Sequence, residues 1–148
     1  VPTPFIREVD DEKTSIILDY IDGQKIRKIL NGVSSDERIK ICTKAGKSTG
    51  LLHKNHIIHG DLTTSNMIQS GGKIYFIDFG LGEINESVEA KGVDLLVFVK
   101  SLRSTHFEHE KECLDAFFDG YREEFSASRE ILERLRAIEK RGRYFSSR

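Results

Sequence analysis

From His59 to Gly80 the chain sets two carboxylates and an amide, Asp61, Asp78 and Asn66, at the ends of short apolar runs around a Gly71-Gly72 turn. Asp78 ends the run Lys73-Ile74-Tyr75-Phe76-Ile77, which reads as a strand. A carboxylate there must be solvated, paired or metal-bound, because burying it bare costs several kcal/mol. Gly80 and Gly82 behind it permit a sharp exit. Asn66 and Asp78 are hard oxygen donors on neighbouring strands, a set that suits Mg²⁺, which takes one or two protein oxygens and completes its shell with phosphate and water. Asp61 then faces the nucleophile.

The flanks divide into a β-rich opening and a helical body. Phe5 to Val9 and Ser15 to Tyr20 read as a hairpin joined by Asp10-Asp11-Glu12-Lys13-Thr14. Ile26, Ile29 and Leu30 recur at helical spacing before Gly32 stops a short helix. Ser35 reads as the N-cap of the next helix, with Asp36 and Glu37 in the first turn and a buried stripe of Ile39, Cys42, Gly46, Thr49 and Leu52. Gly46 and Gly50 each weaken that helix by about 1 kcal/mol against Ala, so they mark a close approach of another backbone. Three more helices follow, Glu89 to Ser104, Glu108 to about Ser126 and about Arg129 to Lys140. The first, apolar at Val93, Leu95, Leu96, Val97, Phe98, Val99 and Leu102, is expected to be buried nearly all round. The others are amphipathic, through Leu114, Phe117, Phe118, Tyr121 and Phe125, and through Ile131, Leu132, Leu135 and Ile138. Layered this way, the chain is α+β.

Its 148 residues are the length of one domain, and 23 Lys+Arg against 24 Asp+Glu leave a formal charge of -1. That balance gives no global nucleic-acid signal, and an apolar share of 38% excludes a disordered polyelectrolyte. No apolar run is long enough to span a bilayer, and Val1-Pro2-Thr3-Pro4 has no signal-peptide character, so the expectation is a cytoplasmic protein without a membrane partner. Cys42 and Cys113 sit in separate apolar patterns, read as core thiols rather than a disulfide or zinc framework.

Asp61 with Asn66 five residues on, and Asp78-Phe79-Gly80 after a hairpin, resemble the catalytic loop and metal-binding segment of the protein-kinase fold. The form His59-Gly60-Asp61-Leu62-Thr63-Thr64-Ser65-Asn66, then Ile77-Asp78-Phe79-Gly80-Leu81-Gly82, then Lys91-Gly92-Val93-Asp94-Leu95, is similar to the small atypical kinase subunit of the KEOPS complex. Ser104-Thr105-His106, Phe118-Asp119-Gly120-Tyr121 and Arg141-Gly142-Arg143 extend the similarity along the chain. The resemblance implies a protein-kinase-like α+β fold, with residues 1–22 as the end of the small lobe and hinge, and 23–148 as the helical large lobe with a basic C-terminal tail.

By the same resemblance, Asp61 is the catalytic aspartate that orients or deprotonates the attacking hydroxyl or water, and Asn66 and Asp78 hold Mg²⁺ on ATP. The carbonyl of Asp19 and the amide of Ile21 meet adenine, and Ile68 lies beneath the base. His59 and Asp94 support the catalytic loop. The implied activity is ATP hydrolysis supporting threonylcarbamoyladenosine formation in tRNA, with serine/threonine phosphorylation as a side or regulatory activity. The implied partners are the tRNA-modifying catalytic subunit of the complex, a small regulatory subunit, and tRNA through the complex. A eukaryotic source would add the nucleus to the cytoplasm.

Gly60 and Thr63 stand where most protein kinases carry an arginine and a lysine, and no Ala-Pro-Glu segment follows Asp78. These departures argue against control by activation-loop phosphorylation. The glycine-rich loop and phosphate-binding lysine of the family would precede Val1, so this chain by itself is expected to bind ATP weakly. Lys140, Arg141 and Arg143, interleaved with Tyr144 and Phe145, could neutralise phosphates and stack on bases, and the tail is read as a contact for tRNA or the neighbouring subunit. Two other readings compete: a scaffold lobe that binds partners without catalysis, and a small-molecule phosphotransferase.

Overall fold

A computed structural model describes residues 1–145, with side chains through Arg141. β1 (Ile6–Asp10) and β2 (Ser15–Leu18) pair antiparallel, with Val9 opposite Ile16 and Asp10 opposite Ser15. Asp10 Oδ1 accepts the Lys13 amide at 3.0 Å inside the connecting turn, the polar-turn chemistry its sequence announces. A second antiparallel sheet runs β3 (Gln24–Lys25), β5 (Met67–Ser70) and β6 (Lys73–Phe76). Gly71 and Gly72, at φ 53° and 73°, make the β5–β6 turn. β4 (Ile57–Ile58) pairs with β7 (Glu83–Ile84) and closes the stretch on either side of that hairpin.

The helical body consists of α1 (Ile26–Ile29), α2 (Ser35–Lys54), α3 (Val88–Thr105), α4 (Glu110–Glu124) and α5 (Ser128–Phe145). The architecture is α+β, as expected. The cap of α2 is Ser34, whose hydroxyl accepts the Glu37 amide; Ser35 is already helical and bonds Glu112 instead. Of the expected stripe, Cys42, Gly46, Thr49 and Leu52 are buried, joined by Ile41 and Ala45, while Ile39 is 41% exposed. Arg38, charged and unannounced by the apolar pattern, lies in that stripe. Its guanidinium donates to the Leu30 and Val33 carbonyls at 2.9 and 2.7 Å and to Glu112 at 2.7 Å, so one planar fork joins the α1–α2 connection to α4.

α2 packs chiefly on α4 and α3 on α5. A Cβ on Gly46 would overlap the Phe117 carbonyl and one on Gly120 the Thr43 carbonyl, so the α2–α4 crossing is as close as two backbones allow. The same crossing brings Cys42 and Cys113 together. Both thiols are buried and free, as expected, and the neighbouring Cys113 together with burial pushes Cys42 above the usual thiol range.

α3 is not buried all round. Val93 is 44% exposed, while the polar Lys91 and Asp94 are buried. The buried amine of Lys91 donates to the Glu86 carbonyl at 3.0 Å, and desolvation lowers its pKa. α4 starts at Glu110, after a single 3₁₀ turn over Phe107–His109, and α5 runs on past Lys140 to Phe145. Among the described residues, no helix is long and apolar enough to cross a membrane.

Candidate functional site

The loop between β4 and β5 carries the acidic group at Asp61 and ends in a single 3₁₀ turn, Thr64–Asn66. The Asn66 side-chain amide donates to the Asp61 carbonyl at 3.0 Å and to its carboxylate Oδ2 at 2.8 Å. With its N–H groups directed at Asp61, Asn66 keeps its amide oxygen as a metal donor. The Ile77 amide donates to the Asn66 carbonyl at 3.0 Å, extending the β5–β6 ladder by one step, and Asp78 is the next residue along the chain. Asp78 is exposed, adopts φ 63°, and accepts the Gly80 amide at 3.3 Å. The structure thus brings Asp61, Asn66 and Asp78 to one end of one hairpin.

Asn66 and Asp78 together offer hard oxygen only, a donor set that fits Mg²⁺ and would be poor for a softer ion. Among the described residues no three His, Cys, Asp or Glu side chains converge as a metal cluster.

His59 is fully buried under this site. Its Nδ1 accepts the Asp61 amide at 3.3 Å, so its Nε2–H donates to the Ile77 carbonyl at 3.1 Å. One imidazole therefore ties the Asp61 backbone to the residue before Asp78, and it packs on the Phe79 ring at 4.4 Å between centroids. Burial lowers the His59 pKa, against the opposing pull of Asp94 and the Ile77 carbonyl. Gly60 has φ 82°, and the Leu81 backbone fills the place of a Cβ, so this fold has no room for a side chain at that position.

Asp94 reaches the loop from α3. Its two carboxylate oxygens accept the His59 and Gly60 amides, each at 2.9 Å, and Oδ2 also meets His53 Nε2 at 3.1 Å. His53 Nδ1 in turn accepts the Tyr121 hydroxyl at 2.8 Å. Burial, and then the nearby Asp94 charge, push the Tyr121 hydroxyl well above the usual phenol range. Apolar periodicity could not have found this chain of contacts. His53 and Tyr121 sit among core residues, and their partners lie far off in sequence.

The remaining candidates lie to one side. Asp19 pairs with Arg7 at 2.5 Å across the first hairpin, and its amide donates to Phe5. Gly23, just past Ile21, lies against Ile68 on β5, and Ser70 donates to the Asp22 carbonyl at 2.5 Å. A cavity of about 470 Å³ opens between the first hairpin and β6, lined by Ile16, Leu18, Phe76, Asp78 and Phe79 among others. Of the nominated residues only Asp78 lines it; Asp19, Ile21, Ile68, Asp61 and Asn66 do not. Lys140 is exposed on α5, and Arg141 pairs with Glu89 of α3 at 2.9 Å. The Arg143 side chain lies outside the described residues.

The RIO domain family matches residues 1–85. The chain is 42% identical over 146 residues to the KEOPS complex subunit Bud32 of Pyrococcus abyssi, covering 97% of this chain and 66% of that protein. It is 40% identical to a probable bifunctional tRNA threonylcarbamoyladenosine biosynthesis protein of Methanocaldococcus jannaschii, across 97% of this chain and 26% of that protein. The corresponding protein of Methanosphaera stadtmanae is 42% identical over the same shares. The chain therefore spans about two thirds of the length of the first of these relatives and about a quarter of the others.

Proposed function

Because the chain belongs to the RIO domain family, with its protein-kinase-like α+β fold, we propose that it uses Mg-ATP as the kinase-like subunit of a KEOPS-type complex. In that role ATP turnover supports formation of threonylcarbamoyladenosine in tRNA by a partner subunit, and phosphorylation of serine or threonine is a secondary activity. The names of the relatives point to the complex and the tRNA product. The observation that carries the nucleotide reading is the hairpin end at which Asn66 bonds Asp61 and, through its carbonyl, the amide of Ile77, the residue before Asp78.

In this reading the Asp61 carboxylate, aimed by the Asn66 amide, accepts the proton of the attacking hydroxyl or water or holds that nucleophile in line. Asn66 and Asp78 hold Mg²⁺, which when bound supplies positive charge against the phosphate oxygens. Asp19 and Ile21 meet adenine through their backbones and Ile68 packs beneath it. His59 and Asp94 keep the loop rigid, so the donors are in place before substrate arrives. Lys140, Arg141 and Arg143 face tRNA or the partner subunit; deleting residues 141–148 without loss of tRNA binding would remove that assignment.

The decisive experiment is Mg²⁺-dependent ATP hydrolysis by the full-length protein, alone and with the tRNA-modifying partner and tRNA, against Asp78→Ala. Turnover lost in Asp78→Ala with the fold intact is the expected result. Normal turnover by that variant refutes the metal assignment. Partner binding without turnover in any condition would leave the chain a docking lobe.

A further inference from the structure

Thr64 opens the single turn that ends at Asn66, and it is buried, with 1% exposure. Its amide donates to Ser101 Oγ at 3.3 Å, and its hydroxyl meets His106 Nε2 at 3.1 Å. His106 Nδ1 lies 2.6 Å from Asn31 Oδ1. The Asn31 amide nitrogen is engaged elsewhere, donating to the Thr105 carbonyl at 3.2 Å, so its oxygen is an acceptor and His106 Nδ1 must carry the proton. Nε2 is then a bare lone pair, and the Thr64 hydroxyl donates to it. Every group in the row has one role.

His106 is 1% exposed, and burial, reinforced by Arg27, His109 and Arg38, lowers its pKa to about 4. The imidazole is thus neutral at physiological pH and remains an acceptor. α3 therefore grips the loop twice. Asp94 holds the amides of His59 and Gly60 at the loop's start, while Ser101, further along the same helix, and His106, the residue that ends it, hold Thr64 at its end.

We propose that His106 is a positioning residue for the metal-binding end of the loop: held by Asn31, it accepts a hydrogen bond from the Thr64 hydroxyl and so fixes the turn that aims Asn66. The consequence for Mg²⁺ rests on the Mg-ATP reading of Asn66; the fixing of the turn does not. Removing the hydroxyl leaves the buried volume nearly unchanged but frees the turn to rotate, so Asn66 would meet the ion in a spread of orientations.

The test compares Thr64→Val, Thr64→Ser and His106→Gln with wild type in the full-length protein, by amide hydrogen exchange and by Mg²⁺ titration of ATP hydrolysis. Thr64→Val and His106→Gln are expected to lower protection of the Asn66 amide about tenfold while the His59 and Gly60 amides hold their protection. They are also expected to raise the Mg²⁺ concentration for half-maximal turnover about fivefold with kcat at saturating Mg²⁺ nearly unchanged. Thr64→Ser is expected to restore both. Unchanged Asn66 protection in Thr64→Val overturns the proposal whether or not the protein hydrolyses ATP. Lost protection with an unmoved Mg²⁺ midpoint overturns the link from the turn to the ion, leaving His106 a structural support of the loop alone. A wild-type protein that hydrolyses no ATP would sink the Mg-ATP reading, and the exchange comparison would still decide whether His106 fixes the turn.

Discussion

Gly46 on α2 stands so close to Phe117 on α4 that a methyl group on the glycine would overlap the phenylalanine carbonyl oxygen. The obstacle is backbone, with no flexible side-chain end to turn away, so the helices themselves would have to part. Gly46→Ala is therefore expected to destabilise the protein by about 3 kcal/mol despite the better helix propensity of alanine. Gly32→Ala, where the nearest atom is an ordinary 3.7 Å away, is the control expected to be near neutral. Urea denaturation of the two variants decides the matter, and equal midpoints would contradict the close crossing.

Asp94→Ala should do more than delete one contact. It would leave the buried amides of His59 and Gly60 without acceptors and strand His53 Nε2–H. The expected loss is at least about 3 kcal/mol, from several buried groups left unpaired together. Thermal unfolding measures it, and a double variant with His53→Ala should lose less than the two single variants summed.

Asp78 holds φ 63°, a left-handed conformation that strains any residue with a Cβ. Asp78→Gly should relieve that strain and raise stability by about 0.5 to 1 kcal/mol, while abolishing Mg²⁺-dependent nucleotide binding. Opposite signs in a melting curve and a nucleotide-binding titration would establish Asp78 as a functional residue held at a structural expense. A destabilised Asp78→Gly would mean that its carboxylate is chiefly structural.

Arg38 satisfies two carbonyls and Glu112 at once with a fixed fork. Lysine keeps the charge but presents a single nitrogen. Arg38→Lys is expected to lower stability by about 2 kcal/mol, read from equilibrium unfolding. A neutral outcome would show that the fork geometry contributes nothing.

Acid should weaken the fold through its buried imidazoles. His106 titrates at about 4 in the folded protein, and burial depresses His59 as well. In the unfolded chain each takes up its proton near pH ~6.5, so between that value and the folded pKa the unfolded state binds more protons. Stability from these groups is complete above that window and falls as pH drops through it. The melting temperature followed from pH 7.5 down to 4.5 should decline, and His106→Gln should flatten part of the decline. An unchanged slope in that variant would assign the acid sensitivity elsewhere.

Much of the frame could be read from local pattern. The two hairpins, the Gly71-Gly72 turn and the amphipathic helices follow from alternation, turn residues and helical spacing, which act over a few residues. Ser34 and Ser35 are adjacent and chemically alike, and only backbone conformation decides which of them caps; Ile39, apolar and spaced like the stripe, is nevertheless exposed. The close α2–α4 approach was legible because two glycines inside a helix need a reason. Hidden from sequence were the buried polar groups Arg38, His53, Lys91 and His106, whose neighbours in the chain are mostly unrelated to their partners in space. Tyr121 was read as packing, and its ring does pack, but its hydroxyl reaches His53. Asp94 was placed by the resemblance as a support of the loop, and the fold supplies its donors, the His59 and Gly60 amides.

Tyr121 bonds a histidine that bonds the aspartate that steadies a loop some sixty residues earlier, and this fixes an order of events during synthesis. Residues 59–80 leave the ribosome with all their chemical groups, yet the hydroxyl that completes their support follows only after roughly a few seconds of further elongation at typical speeds. Contacts of such long sequence separation also form late, because chain entropy must be overcome before they stabilise anything. The nascent chain therefore carries a recognisable but slack β4–β5 loop until α4 docks. A lesion confined to α4, remote from any ligand, would then appear as a protein that is made in full and never becomes competent.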